Sequence, residues 1–195
     1  MVCVYAMDIS NLPSTEEKAF ADLLVTLDVK RQNKITELKS DLKKKQSLGA
    51  GLLLKYVLER HGLKTEDIQM GPHGKPEIEG LQFNLSHSGT TVICAASHLP
   101  VGCDIEENRP MPEAYGSDFL RLWTAKESYG KMTGEGLSIP KDTVEIRTDE
   151  DLQVFRDGVL QKCFLKEYVI PGYQMTVCAE EEMFSDVQWV NGLYN

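Results

Sequence analysis

Three carboxylates and a lysine, spread over two short segments, are the residues of this chain best suited to chemistry on a charged ligand. In Val101-Gly102-Cys103-Asp104-Ile105-Glu106 the apolar Val101, Cys103 and Ile105 alternate with Gly102, Asp104 and Glu106, the period-two pattern of a half-buried strand. Asp104 and Glu106 therefore share a face, about 6.6 Å apart along the strand, close enough to reach one hard cation of the Mg²⁺ type. Downstream, Trp123, Glu127 and Lys131 recur at helical spacing on one face. Taken singly, each pattern has an ordinary explanation. An isolated Asp-x-Glu is a solvated acidic edge, and Glu127 with Lys131 is a surface pair contributing a few tenths of a kcal/mol. Together they say more: a third carboxylate beside the first two makes a repulsive cluster best tolerated when a cation neutralises it. Mg²⁺ is usually held by few carboxylates and shared with phosphates, so a phosphorylated ligand is expected as well.

The elements that must position these residues read as an α+β chain. Val2, Val4 and Ala6 alternate as an opening strand, and a helix is expected from Ser14 to Leu27, with Ser14 and Glu17 as a capping box. A second helix spans Asp41 to His61, with Leu48, Leu52, Leu53, Tyr56 and Val57 as its apolar stripe and Gly62 as its stop. Leu81, Phe83 and Leu85 alternate as a strand that runs into Asn84-Leu85-Ser86-His87-Ser88, Thr91 to Ala96 is its partner, and the Asp-x-Glu strand follows Pro100. The Glu127 helix spans Ser117 to Met132 and stops at Gly134 and Gly136. From Thr143 the pattern predicts a β-meander: Val144 to Arg147, Leu152 to Phe155, a turn at Asp157-Gly158, Lys162 to Ile170, a turn at Pro171-Gly172, and Tyr173 to Ala179.

Composition narrows the setting. The 195 residues, 42% hydrophobic, fit one large domain or two small ones. No basic and apolar leader and no run of about 18 apolar residues is present, so a soluble cytoplasmic protein without a membrane partner is expected. Five scattered cysteines without C-x-x-C spacing argue against a disulfide framework and a zinc site. The net charge of −9 falls entirely on residues 99–195, whereas residues 1–98 balance. Lys30, Arg31, Lys34, Lys39, Lys43, Lys44 and Lys45 nevertheless face only Glu37 and Asp41. Such a run reads as a solvated face or as a patch for an anionic small molecule. Nucleic acid is not expected, because no basic stripe carries interleaved aromatics.

At the level of motifs, the chain resembles the 4′-phosphopantetheinyl transferases of the larger, surfactin-synthetase-activating type. The likeness rests on Gly74-Lys75-Pro76, Asn84-Leu85-Ser86-His87-Ser88, Gly102-Cys103-Asp104-Ile105-Glu106 and Trp123 through Lys131. It extends to Gly134-Glu135-Gly136-Leu137-Ser138-Ile139-Pro140 and Pro171-Gly172-Tyr173, and so covers most of residues 45–180. The resemblance implies two similar α+β halves in a pseudo-twofold arrangement, residues 1–98 and 99–195, the second carrying the metal site. It implies a monomer that moves the phosphopantetheine arm of coenzyme A to a serine of an apo acyl or peptidyl carrier protein, with Mg²⁺ as cofactor and 3′,5′-ADP leaving. Asp104, Glu106 and Glu127 are then the metal ligands, Glu127 and Lys131 the catalytic pair, and Lys45, Lys75, Pro76, Ser86, His87 and Lys131 the contacts of coenzyme A. Lys45 stands where the family has an arginine, which keeps the charge but gives up bidentate geometry. Only 16 residues separate Glu106 from Trp123, fewer than in the family, which bears on carrier docking; a compensating local apolar or basic surface is expected near Phe119, Tyr129 and Met132. Two other readings stay open, a non-catalytic coenzyme A or nucleotide-binding module and a Mg²⁺-dependent diphosphate hydrolase.

Overall fold

Strand β1 (Val2–Asp8) is buried on both sides, because Val2, Val4 and Ala6 point to one face and Tyr5 and Met7 to the other. It lies inside a four-stranded sheet of order β12-β1-β5-β4, with β4 at Gln82–Ser88, β5 at Thr91–Ser97 and β12 at Phe184–Trp189. A second sheet has the order β10-β11-β6, from β6 (Val101–Glu107), β10 (Phe164–Ile170) and β11 (Tyr173–Ala179), all antiparallel. The computed structural model describes residues 1–71, 75–113, 116–136, 139–140, 142–148 and 151–193. Gly74, Leu137 and Ser138, which belong to two of the motifs, lie outside the described residues.

Three apolar clusters define the layering. On the outer face of the first sheet, Tyr5, Met7, Phe83 and Val92 pack with Leu48, Leu53, Leu54 and Val57 of helix α3 (Asp41–Arg60). Between the sheets, Val2, Val4, Ala6, Ile93 and Ala95 meet Val101, Cys103, Ile105, Met175 and Val177. On the far side, Tyr129 and Met132 of α4 (Phe119–Thr133) pack with Cys178 and with Val144 and Val154. The order is helix, sheet, sheet, helix, an α+β fold. The two sheets also share a connectivity, in which a strand is followed by a long helix and then a hairpin whose second strand pairs with the first: β1, α3, β4-β5 and β6, α4, β10-β11. The last strand does not stay with the second sheet. β12 crosses back to lie parallel to β1, so the chain crosses between the two sheets twice.

Helix α3 begins and ends as its sequence implies, with the Ser40 hydroxyl accepting from the Lys43 amide and Gly62 at φ 70° after the last turn. The other differences have local causes. Helix α1 covers only Lys18–Leu24, because Ser14 and Glu17 form a turn of their own before it: the Ser14 amide donates to Glu17 Oε1 at 2.9 Å. A further helix, α2 (Val29–Glu37), lies within the basic run; Asp28 caps it through the Arg31 amide, and Ile35 alone anchors it in the core. Short strands β2 (Gln69–Met70) and β3 (Pro76–Glu77) form a hairpin of their own. The expected meander is divided. β7 (Val144–Arg147), β8 (Gln153–Arg156) and β9 (Val159–Leu160) make a separate small sheet, turning at Asp157 and Gly158, both with positive φ. Among the described residues no helix is long and apolar enough to cross a membrane.

Candidate active site

Gly102 is what lets α4 lie directly on β6. A Cβ there would land on the Ser128 carbonyl oxygen and the Met132 amide nitrogen, and 2.9 Å from the Lys131 carbonyl carbon, all main-chain atoms. With α4 seated this closely, Lys131 reaches back over β6. Its ammonium donates to Asp104 Oδ1 at 2.6 Å, to the Ser86 hydroxyl at 3.0 Å and to the Cys103 carbonyl at 3.1 Å, which uses all three of its donors. The helix is held on the sheet laterally by the Thr124–Thr176 hydroxyl contact at 3.0 Å and by the bidentate pair of Arg121 with Glu167.

Strand β6 pairs with β11 on one edge only, and β4 completes the other edge with side chains. Asn84 Oδ1 accepts from the Cys103 amide at 3.0 Å, the Ser86 hydroxyl donates to Asp104 Oδ1 at 2.9 Å, and the Ser88 hydroxyl accepts from the Glu107 amide at 2.9 Å. Ser88 also approaches Glu106 at 3.4 Å. Asn84, Ser86 and Ser88 alternate along β4, so the polar face of this strand is a ladder that fixes the carboxylate strand. Asn84 and Ser88 were not among the candidate site residues; their period-two spacing with Ser86 was the available signal.

Asp104 is 5% exposed. Burial pushes its carboxyl above the ordinary carboxylate range, opposed by Lys131 and Ser86, with Glu127 adding repulsion. Its second oxygen, Oδ2, is buried without a hydrogen-bond partner. Glu106 is likewise raised, by burial first and by Asp104 second, against Arg109, whose Nη1 stands 3.6 Å from Glu106 Oε2. Glu127 sits one turn before Lys131 on α4, within electrostatic reach of Asp104. Among the described residues no three acidic, histidine or cysteine side chains converge closely enough to form a ready metal cage. What fits a hard cation is the donor chemistry: adjacent carboxylates raised first by burial, one of them with an orphaned buried oxygen.

Successive residues on β4 face opposite ways. Beyond Ser86, the residues Phe83, Leu85 and His87 line a cavity of about 460 Å³ with Pro76 of β3, Arg31 and Lys34 of α2, and Lys43, Ser47 and Ala50 of α3. Among the described residues no carboxylate lines it. His87 is exposed at its rim yet desolvated on the inner side, and this, followed by the fields of Lys131, Lys34 and Arg31, lowers its pKa. Burial also lowers the pKa of Arg31, against the pull of Asp28. Lys75 bridges the two regions by donating to the Lys131 carbonyl at 3.0 Å, and burial depresses its pKa. Lys45 is placed differently: it donates to the Leu12 carbonyl at 2.8 Å and does not line the cavity, whereas Lys43 does. The docking surface expected around Phe119, Tyr129 and Met132 is not a surface. Tyr129 and Met132 are 2% and 7% exposed core residues, and Phe119 stacks on Trp123 with ring centroids 5.7 Å apart.

Comparison with known proteins identifies the family. Residues 108–178 match the model of the 4′-phosphopantetheinyl transferase superfamily. The chain is 33% identical over 168 residues to the 4′-phosphopantetheinyl transferase Sfp of Bacillus subtilis (strain 168), covering 71% of this chain and 75% of that protein. It is 32% identical over 163 residues to the 4′-phosphopantetheinyl transferase psf-1 of Bacillus pumilus, covering 69% and 70%. A shorter match, 33% over 95 residues, relates it to the 4′-phosphopantetheinyl transferase HetI of Nostoc sp.. With the carboxylate strand, the lysine helix and the cationic cavity set side by side, and with the two Bacillus relatives matched over 75% and 70% of their length, the chain belongs to the 4′-phosphopantetheinyl transferase family.

Proposed function

We propose that this protein transfers the 4′-phosphopantetheine arm of coenzyme A to a serine hydroxyl of an apo acyl or peptidyl carrier protein, in a Mg²⁺-dependent reaction that releases 3′,5′-ADP. The observation that carries the reading is Asp104, pinned through Oδ1 by Ser86 and Lys131 while its buried Oδ2 has no partner, next to a cationic cavity without carboxylates. Asp104, Glu106 and Glu127 would hold the cation, which when bound supplies charge neutralisation at the diphosphate.

The residues of the chain do the rest. The cavity takes the phosphorylated nucleoside end of coenzyme A, with Pro76 and His87 in its wall and Lys75 at the bridge to α4. Lys45 belongs to the binding set only by releasing the Leu12 carbonyl; Arg31, Lys34 and Lys43 are already in place. Lys131, with its three donors engaged, gives up one of them to a diphosphate oxygen, and the Ser86 hydroxyl is the neutral partner that can be exchanged. Glu127 receives the proton of the incoming serine, directly or through one water. Attack on a diphosphate needs alignment and charge neutralisation more than covalent help, so a rigid strand and helix are suitable carriers of the site.

The same reading divides the chain near residue 98 into two halves related by a pseudo-twofold. It is supported by the shared strand, helix and hairpin order of the two sheets, with β12 returning to the first. A cytoplasmic monomer working without nucleic acid or membrane goes with it. The test is incubation with coenzyme A, Mg²⁺ and a panel of apo carrier proteins, read by the phosphopantetheine mass increment. Breakdown of coenzyme A without a carrier would instead identify a hydrolase, and binding with neither reaction a non-catalytic module.

A further inference from the structure

Cys163 and Cys178 share one face of the second sheet. Cys178 of β11 pairs with Leu165 of β10, and Cys163 stands two residues before Leu165, so both sulfurs point to the side that α4 covers. There they join one apolar cluster with Tyr129 and Met132. The buried Cys178 sulfur lies 3.6 Å from Met132 Sδ and within hydrogen-bond reach of Cys163, which is only half-buried. That hydrogen bond lowers the Cys163 pKa against burial and the field of Glu180, whereas burial first holds Cys178 well up. The pair is thus a partly open sulfur that ionises readily beside an enclosed neutral thiol, the arrangement that reacts with oxidants. Cys94 and Cys103 offer no such asymmetry, since both are buried and both are raised. Cys163 also follows the bend at Lys162 and precedes the first residue of β10, so its main chain lies outside the ladder and is free to close to disulfide distance.

We infer that Cys163 and Cys178 are a hydroperoxide-reactive thiol pair that closes to a reversible disulfide and thereby unsettles the seat of α4. The Cys163 thiolate attacks a peroxide oxygen, the O–O bond breaks, and with hydrogen peroxide the leaving hydroxide departs as water, leaving a sulfenic acid. The Cys178 sulfur then displaces the sulfenic hydroxyl and gives up its proton, so that a second water leaves. Two thiols lose two electrons and two protons, and the peroxide is reduced to two waters; a dithiol reverses the step by exchange. Cys178 lies opposite Gly102 in the β11–β6 register, at the point where α4 rests, and Met132 follows Lys131 on that helix. Drawing the Cys178 sulfur towards Cys163 withdraws it from Met132 and shifts the turn that carries Lys131. This effect on transfer rests on the function proposed above; the bridge itself does not.

The experiment treats the reduced full chain, Cys163→Ser and Cys178→Ala with hydrogen peroxide. Intact mass and peptide mapping after alkylation are read beside initial rates of phosphopantetheine transfer, before and after dithiothreitol. The parent should lose two hydrogens, yield a peptide bridged from Cys163 to Cys178, and slow about tenfold, as a shift of part of an ångström at Lys131 requires, with dithiothreitol restoring both mass and rate. Cys163→Ser should keep its rate through the treatment, and Cys178→Ala, lacking the second sulfur, should gain oxygen at Cys163. A parent in which Cys163 and Cys178 both remain open to alkylation would overturn the assignment. A bridge formed at unchanged rate would refute the coupling to α4, and an equal slowing of Cys163→Ser would place the sensitive group elsewhere. Should the reduced parent transfer nothing, the functional reading fails, while the mass measurement still decides whether the pair closes.

Discussion

Replacing Gly102 by alanine adds one methyl group at the point where α4 rests on β6, and the consequence can be worked out from the neighbours it would meet. The new carbon overlaps the Ser128 oxygen and the Met132 nitrogen and lies 2.9 Å from the Lys131 carbonyl carbon. Relaxed contacts need about 3.5 Å or more. No side chain can rotate away, because all three neighbours are backbone, so the helix itself must move by something on the order of 1 Å. Overpacking of this kind costs about 2–3 kcal/mol, which in a chain of this size lowers the melting temperature by about 4–12 °C. The same displacement carries Lys131 off Asp104, now 2.6 Å away, and a misplacement of about 1 Å at a reacting centre costs about a hundredfold in rate. Gly130→Ala is the internal control. Its Cβ would come no closer than 3.1 Å to any neighbour, the Gly136 oxygen, and the gain in helix propensity offsets the contact, so stability should change by less than about 1 kcal/mol. Differential scanning fluorimetry and initial rates of phosphopantetheine transfer measure both. A Gly102→Ala protein that melts and turns over like the parent would show that α4 does not depend on this close approach.

Asp104→Asn should abolish transfer while shifting the melting temperature by only a few degrees, since burial already raises the Asp104 carboxyl and makes its charge a cost to the fold; a large loss of stability would instead make the Lys131 pair the mainstay of the seam. His87 should link ligand binding to protons. Its folded pKa is depressed, so its contribution to stability is present above the unfolded value of about 6.5 and is lost as pH falls through the folded one. An anion in the cavity favours the charged imidazolium against the burial and cationic fields that depress it, so coenzyme A should bind with proton uptake and more tightly towards pH 6, measured by calorimetry in buffers of different ionisation heat; uptake persisting in His87→Gln would assign the proton elsewhere. Arg31→Met should weaken coenzyme A more than its dephospho form, whereas Lys45→Gln should lower stability through the Leu12 carbonyl and leave the ratio of the two affinities unchanged. A ratio altered in Lys45→Gln alone would return the phosphate contact to Lys45.

Elements with a long, clean period were legible in the sequence, and those defined by tertiary pairing were not. Helix α3 could be read to within a residue because its apolar stripe and Gly62 agree. Helix α2 was hidden because its one buried anchor, Ile35, sits in a run of cations that reads as a solvated face; only the capping Asp28 signalled it. Strand β12 has no clear alternation and exists because the open edge of β1 accepts it in parallel, Val4 against Val187 and Ala6 against Trp189. At the site, the shared face of Asp104 and Glu106 followed from a period of two. That Lys131 would bond Asp104 directly, that Lys75 would end on a helix carbonyl, and that Lys43 rather than Lys45 would line the cavity are facts of how α4 and α3 are rotated against their sheets. No local pattern encodes those rotations.

Charge at the seam between the two sheets leads to a last consequence. Asp104 and Glu106 bring two negative charges, and Lys131 and Arg109 return two positive ones, the second weakly because Arg109 is mostly exposed and screened. The seam is therefore close to balance with a small negative excess. A divalent cation alone overshoots that balance, and a diphosphate alone deepens the excess, whereas the two together leave it nearly as they found it. Buried Asp104 feels either imbalance in a medium of low dielectric, where charge is poorly screened. Cation and coenzyme A should accordingly bind with positive coupling, each raising the affinity of the other by the same factor, as linkage requires. Titrating Mg²⁺ into the chain with and without saturating coenzyme A measures that factor directly. Equal cation affinity in the two titrations would mean that the diphosphate is not held at Asp104 and Lys131, and would move the transfer chemistry away from this seam.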